Sequence, residues 1–207
     1  GLLMQRGYPE LIERTLRGAL VAHAHRMNAL NVQNLVSGST AVNMGNQIGT
    51  AAPLLGAVEI QVEHYRAVNK LAPDAVLEAI FPMWTRGAFR SDLSRRLGVD
   101  LIDVSNERVD QWFAQRGVAV QYTYALQDVA PTAAASFTAW PTEVSFLLYA
   151  AGTWVRGTSP IITLDTVYDS TLLSNNDYTA LFTEEGFLTV KRGHDSRCLL
   201  YTSPSPR

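Results

Sequence analysis

The most constraining feature of this chain is a long amphipathic pattern near its start. Residues 9–36 carry apolar side chains at steps of three and four, which is the spacing of one face of an α-helix. The members of this stripe are Ile12, Leu16, Leu20, His23, Met27 and Leu30. Pro9 suits the first helical turn, and Gly38 is placed to end the helix in a left-handed conformation. A helix of roughly 28 residues spans about 42 Å, longer than most compact domains require, so the pattern predicts a structural spine.

Beyond this spine, helices are predicted mainly in the first half of the chain and strands in the second. The segment 37–53 is rich in Gly, Ser, Thr and Asn, and both it and residues 127–142 are predicted to be loops. Helices are predicted at residues 54–71, 84–97 and 105–116, with Ser105 as an N-cap and Gly98 and Gly117 as terminators. Strands are predicted at residues 75–81, 118–125, 143–154 and 160–168, and as a tight pair within 177–193 that is joined at Glu185 and Gly186. This order favours an α+β fold over a βαβ repeat.

Composition and charge exclude several classes of protein. Of the 207 residues, 47% are apolar and 17% charged, which indicates large buried surfaces, some of them between subunits. The net charge is -2 without a long basic run, which argues against tight binding to nucleic acid or to an anionic membrane. No apolar stretch is long enough for a transmembrane helix. Cys198 is the only cysteine, so a reducing compartment is expected.

The sequence offers no motif for catalysis, for a cofactor or for a metal ion. His23 and His25 would point about 200° apart on a helix, and His64 and His194 lack neighbouring ligands. The segments SGST and GNQIGT lack the Gly-Lys-Ser/Thr ending of a phosphate-binding loop, and there is no Gly-x-Ser-x-Gly nucleophile elbow. We therefore expect no enzymatic activity, no cofactor and no metal.

A pair of acidic residues, Glu184 and Glu185, lies near the end of the chain. On a strand, neighbouring side chains point to opposite faces, so the two carboxylates are badly placed to share a substrate. They are better suited to meet basic side chains in this chain or in a neighbouring copy. The candidate partners are Arg86, Arg90, Arg95, Arg96, Arg156, Lys191 and Arg192. We predict subunit-interface roles for Glu184 and Glu185 and for five of these arginines, namely Arg86, Arg90, Arg95, Arg96 and Arg156.

Long stretches of the chain resemble one known family. They are LRGALVAHAHRMNALNVQNLVSGST, FPMWTRGAFRSDLSRRLGVDLIDVSNERVDQWFAQRGVAVQY and WPTEVSFLLYAAGTWVRGTSPIITLDTVYDSTLLSNNDYTALFTEEGFLTVKRGHDSR. These stretches resemble the major capsid protein of tailed phages, in the group common among phages of actinobacteria. The resemblance covers about residues 6–197 and implies the Hong Kong 97-like fold, with a spine helix, a peripheral domain and an axial domain. None of the motifs is catalytic.

The resemblance also implies a domain organisation. Residues 1–82 are expected to form the spine helix and part of the peripheral domain, residues 83–160 the axial domain, and residues 161–197 the strands that return to the peripheral domain. The N-terminal arm and the extended loop of the family have no counterpart here, so the chain is expected to be a fragment.

The final segment, CLLYTSPSPR at residues 198–207, departs from the family. It looks like the translation of a transposase adapter used in preparing DNA sequencing libraries, and it begins where the family continues with a Val-rich strand. We therefore predict a non-native tail and assign it no place in the fold.

The function implied by the resemblance is that of a structural shell subunit. Copies of the chain would assemble in the host cytoplasm into pentamers and hexamers of an icosahedral virion head, which encloses DNA without sequence-specific binding. Scaffold, portal or decoration proteins are further candidate partners, and no membrane is involved. Two alternatives are an encapsulin-type nanocompartment shell, which shares the fold but packages enzymes, and a small enzyme whose site escaped the motif search. Neighbouring terminase, portal and protease genes would distinguish a phage from a nanocompartment.

Overall fold

The computed structural model describes residues 9–46, 54–98, 100–126, 141, 143–159, 163–167, 180–184 and 186–202. The helices are α1 (Pro9–Ser37), α2 (Leu54–Asn69), α3 (Thr85–Leu97) and α4 (Asn106–Ala114), with a 3-10 turn at Leu101–Asp103. The strands are β1 (Thr40–Asn46), β2 (Leu77–Pro82), β3 (Val118–Thr123), β4 (Glu143–Ala150), β5 (Trp154–Thr158), β6 (Thr163–Val167), β7 (Ala180–Glu184), β8 (Phe187–Lys191) and β9 (Ser196–Thr202). The mixture of helices and strands confirms the predicted α+β class.

The chain divides into two compact units. Unit 1 comprises Gly1–Asn31 and Val155–Val190, and unit 2 comprises Val32–Trp154 and Lys191–Arg207. The chain therefore passes from unit 1 to unit 2, returns, and enters unit 2 again. The predicted boundaries at residues 82 and 160 differ from this division, because residues 32–82 belong to unit 2. Assignment of either unit to a peripheral or an axial domain stays a prediction.

Unit 2 is built on a five-stranded mixed sheet in the order β1-β9-β4-β2-β3. Strand β4 runs antiparallel to both of its neighbours, whereas β1 is parallel to β9 and β3 is parallel to β2. The connection from β2 to β3 contains α3 and α4, which supplies the crossover that two parallel strands require. One βαβ-type crossover thus occurs within the α+β fold.

The main core of unit 2 centres on Phe81 of β2. Its ring stacks on Phe146 of β4 at 4.7 Å between centroids and meets Phe89 of α3 edge-on at 5.1 Å. Phe113 of α4 completes the group at 5.7 Å. All four rings are buried. Adjacent strand positions alternate in direction, so Ile80 instead packs in a second cluster on the other face of the sheet, with side chains from the last turns of α1.

The predicted helix ends at Gly98 and Gly117 and the predicted N-cap at Ser105 are confirmed. Gly98 and Gly117 have φ of +62° and +64°, the left-handed conformation in which glycine carries no steric penalty. The Ser105 hydroxyl accepts a hydrogen bond from the Arg108 N–H, as expected of an N-cap. Gly38 is the exception, since it lacks a positive φ. A Cβ at Gly38 would lie 2.5 Å from Cη2 of Trp154, so glycine is required there for close packing.

The prediction of a loop at residues 37–53 is wrong for β1. Residues 40–46 pair with β9, with Thr40 opposite Arg197 and Val42 opposite Leu199. Val42 packs against the main core, although polar residues and glycine surround it in the sequence. A partner more than 150 residues away thus overrides weak local strand propensity. Residues 47–53 lie outside the described part of the chain.

Two further strand predictions need correction. The single strand expected at 143–154 is two strands, because the chain turns after Ala150 at Gly152, whose φ is +80°. The pair expected within 177–193 exists as β7 and β8, but these strands do not pair with each other. Strand β7 pairs with β6 and β8 pairs with β5.

Strand β9 includes residues 198–202 of the predicted adapter-encoded tail. It lies between β1 and β4, and Leu199 and Tyr201 are buried. Leucine, tyrosine and threonine suit a half-buried strand, which is the local reason that this segment can form one. The prediction that these residues have no place in the fold is therefore wrong for residues 198–202. Their adapter origin is a statement about the coding DNA and stays a prediction.

Unit 1 contains the first part of α1 and two separate two-stranded sheets, β5-β8 and β6-β7. Strands β6 and β7 are antiparallel, with Thr163 opposite Glu184. Within the described ranges, no helix combines the length and hydropathy that crossing a lipid bilayer would require.

The packing around Phe81 generates a stability prediction. Phe81→Ala should lower the free energy of unfolding by about 3–5 kcal/mol, because it removes buried apolar area and leaves a cavity among three other rings. Urea denaturation followed by circular dichroism measures the change. Tyr124→Ala is the control, since Tyr124 is 71% exposed and its loss should change stability by less than about 0.5 kcal/mol. Equal losses in the two variants would contradict the assigned core.

Candidate subunit-interface surfaces

The predicted apolar stripe of α1 is largely exposed in unit 1. Leu16, Leu20 and Leu30 are 39%, 48% and 37% exposed, and Val21 on another face is 55% exposed. Only His23, Met27 and Asn31 of the described α1 side chains in unit 1 are half-buried. The predicted spine helix thus exists, but most of its apolar side chains remain in contact with solvent.

The contact between α1 and β8 within unit 1 is narrow. The Thr189 hydroxyl of β8 donates a hydrogen bond to Oδ1 of Asn31 at 2.8 Å. Leu188 and Val190 on the same strand are 61% and 38% exposed, and Val155 of the paired strand β5 is 40% exposed. The strand pair therefore adds exposed apolar side chains to those of the helix.

Burial is distributed unequally between the units. Every residue that the structure describes as buried belongs to unit 2, and each described side chain of unit 1 is half-buried or exposed. We call the following side chains the exposed apolar set of unit 1: Leu16, Leu20, Val21, Leu30, Val155, Leu188 and Val190. Among the described side chains of unit 1, α1 and the strand pair β5-β8 therefore share no buried side chain.

Two of the predicted interface arginines make contacts within unit 2. Nη2 of Arg86 lies 2.9 Å from Oδ2 of Asp110, and its guanidinium lies 5.3 Å from the centre of the Tyr122 ring. Nε of Arg90 donates a hydrogen bond to the Val104 carbonyl at 2.8 Å. Arg86 thereby links α3 to α4, and Arg90 links α3 to the segment that precedes α4.

Of the other predicted interface residues, two are exposed and three have side chains that the structure does not describe. Arg95 on α3 and Arg156 on β5 are exposed. Arg96 and Glu184 lie in elements of which the backbone alone is described there, and Glu185 lies outside the described residues. A pairing between the acidic residues and the arginines stays a prediction.

Sequence reasoning missed a polar cluster in unit 2, which we call the polar junction. Its members are Leu35, Ser39, Thr40, Tyr65, Trp154, Lys191, Asp195 and Ser196. Ser39 and Thr40 belong to the SGST segment of the predicted loop at residues 37–53, and Asp195 and Ser196 belong to GHDSR. Ser39 Oγ and Ser196 Oγ lie 2.7 Å apart although 157 positions separate them. The hydroxyl-rich stretch SGST is visible in the sequence and could have indicated a polar cluster. Its hydrogen-bond partners lie far away in the chain and could not be identified.

Burial raises the pKa of several ionisable groups of unit 2. Desolvation raises the pKa of Tyr122 and of Tyr149 well above the ordinary value, with a nearby acidic residue adding to the effect in each case. Desolvation likewise raises the pKa of the Cys198 thiol. These groups stay protonated at neutral pH. Among the residues that are described, no three His, Cys, Asp or Glu side chains form a group that could hold a metal ion.

The contacts of Arg86 generate a prediction that distinguishes arginines with contacts inside unit 2 from exposed arginines. Arg86→Ala should lower the free energy of unfolding by about 1 kcal/mol, because it removes the ion pair with Asp110 and the contact with the Tyr122 ring. Arg95→Ala is the matched control on the same helix and should change stability by less than about 0.5 kcal/mol. Thermal or urea unfolding measures both, and a larger loss for Arg95→Ala would contradict this division.

Comparison of the chain with models of protein families, with curated proteins and with solved structures finds no match in any of the three. A function for the chain is therefore inferred from its own residues and contacts.

Proposed function

We propose that this chain is a structural subunit of an icosahedral tailed-phage head with the Hong Kong 97-like fold. In this proposal copies of the chain bind each other in pentamers and hexamers, and the closed shell encloses DNA. The resemblance of residues 6–197 to tailed-phage major capsid proteins is one support. A long helix at the position of the family's spine helix, Pro9–Ser37, is consistent with it.

The observation that carries the proposal is the exposed apolar set of unit 1. Complete burial of a leucine or valine side chain stabilises a protein by about 1.5–3 kcal/mol, so covering the exposed half of one contributes on the order of 1 kcal/mol. The seven side chains of the set together offer several kcal/mol per subunit. Contacts of that size are weak singly, but a closed symmetric shell repeats them in every subunit.

The charge of the chain is compatible with enclosing DNA rather than binding it. The net charge is -2, so phosphate groups meet no strong overall attraction. Arg86 and Arg90, which lie four residues apart on α3, already contact groups within unit 2. Strong binding to the inner surface would also hinder orderly packing of a genome.

A substitution on α1 tests the proposal. The 207-residue chain should associate with copies of itself, as seen by electron microscopy and light scattering, and Leu20→Glu should reduce the assembled fraction at least tenfold. The reason is that a buried, unpaired carboxylate costs several kcal/mol at every copy of the contact. Circular dichroism should show unchanged helix content, because position 20 is exposed within the single chain.

Ala22→Glu is the matched control for this test. Ala22 is exposed on the same helix, and by about 100° per residue it lies off the apolar stripe. It adds the same charge, so it should assemble like the unsubstituted chain. A chain that stays monomeric at high concentration, or equal assembly of Leu20→Glu and the unsubstituted chain, would count against the shell proposal.

A further inference from the structure

The polar junction contains a chain of hydrogen bonds whose direction can be assigned. The indole N–H of Trp154 donates to Ser196 Oγ at 3.0 Å. The Ser39 hydroxyl donates to the Leu35 carbonyl at 2.6 Å, which uses the only hydrogen of that hydroxyl. Ser196 must therefore donate to Ser39 across their 2.7 Å contact. The direction runs from Trp154 through Ser196 and Ser39 to the end of α1.

A second group of bonds holds the segment before β9. Oδ1 of Asp195 accepts from the Thr40 hydroxyl at 3.2 Å and from the Ser196 N–H at 2.9 Å. The Asp195 carbonyl accepts from the Tyr65 hydroxyl at 2.5 Å, and that hydroxyl accepts from the Ala150 N–H at 3.1 Å. These bonds connect β1, α2 and β4 to the residue that precedes β9.

Packing and charge close the junction around the end of α1. Nζ of Lys191 donates to the Gly38 carbonyl at 3.0 Å and lies 3.6 Å from Oδ1 of Asp195. The Trp154 ring packs directly against Gly38, where a Cβ has no space. Ser196 is completely buried, so water cannot reach its hydroxyl group. The hydrogen bonds of this hydroxyl must therefore come from protein groups.

The position of the junction in the sequence is the telling feature. Unit 2 begins at Val32, ends at Trp154 and begins again at Lys191. The junction includes residues that lie close to each of these three points in the sequence. They are Leu35 and Ser39 after the first point, Trp154 at the second, and Asp195 and Ser196 after the third. Other polar contacts of unit 2, such as Arg86 with Asp110, join segments far from these points.

We propose that the polar junction is a clamp that holds together the three chain segments at which unit 2 begins and ends. Because the hydroxyl groups of Ser39 and Ser196 each make two bonds in one series, loss of either loosens all three segments together. The clamp also docks β9 from its first residue, which sets the alignment of this strand between β1 and β4. The inference concerns the single chain and holds whether or not copies of it assemble.

Hydrogen exchange of the complete chain, measured by mass spectrometry, tests the clamp. In Ser196→Ala, amide exchange should accelerate roughly tenfold in residues 37–40, 151–154 and 191–197, since two hydrogen bonds are lost and local opening becomes more frequent. Exchange in β2 and in the middle of β4 should stay unchanged. Acceleration around residue 196 alone, or equally throughout unit 2, would overturn the proposal.

Two other variants make this test specific. Ser105→Ala removes a hydroxyl elsewhere in unit 2, one that caps α4, and should accelerate exchange only near residues 105–108. Trp154→Phe keeps an aromatic ring beside Gly38 but removes one bond of the series. It should affect the same three segments as Ser196→Ala, only less, and it gives the same answer if Ser196→Ala folds poorly.

A double-mutant cycle tests the link between the two serines directly. Ser39→Ala and Ser196→Ala each remove their shared hydrogen bond, so the double variant should lose less stability than the sum of the single losses. The difference should correspond to roughly a fivefold change in the unfolding equilibrium constant, as expected for one net hydrogen bond. Additive effects would show that the two residues act separately and would overturn the proposed series.

Discussion

The folded structure of unit 2 depends on the burial of Phe81 between the sheet and the helices that cover it. Its ring contacts Phe146 on the neighbouring strand and Phe89 and Phe113 on α3 and α4. These helices belong to the crossover that makes β2 and β3 parallel, so the same ring group that forms the core also holds the connection in place. Ile80 points to the opposite face of the sheet, where it packs in the second cluster with side chains from the last turns of α1. One strand thereby organises both faces of the unit.

Unit 1 presents the opposite situation. Its described side chains include no buried residue, and the apolar side chains of α1 and of the strand pair β5-β8 remain exposed. Apolar surface of this kind is costly in water and is normally covered by a partner. This difference between the described parts of the two units is the observation that supports the proposed shell function.

The sequence does not show which polar residues make contacts within unit 2 and which are exposed to solvent. Arg86 and Arg90, two of the predicted subunit-interface residues, make contacts within unit 2, whereas Arg95 on the same helix is exposed. A contact of these arginines with a neighbouring copy stays a prediction. Spacing along α3 places these arginines but does not reveal that Asp110 and the Val104 carbonyl lie opposite two of them. The polar junction was missed for the same reason, since its serines lie 157 positions apart.

The sequence by itself determined the features that depend on neighbouring residues. The 3.6-residue period located α1, and the glycines at 98 and 117 and the serine at 105 marked helix ends because their conformational preferences are local. Tertiary structure decided what depends on distant partners. Residues 40–46 form a strand only because β9 lies beside them. Strands β7 and β8 do not pair with each other but with β6 and β5. Gly38 allows the Trp154 ring to pack closely and does not form a left-handed turn. Strand pairing and close packing are set by which surfaces meet in space, and a linear pattern carries little of that information.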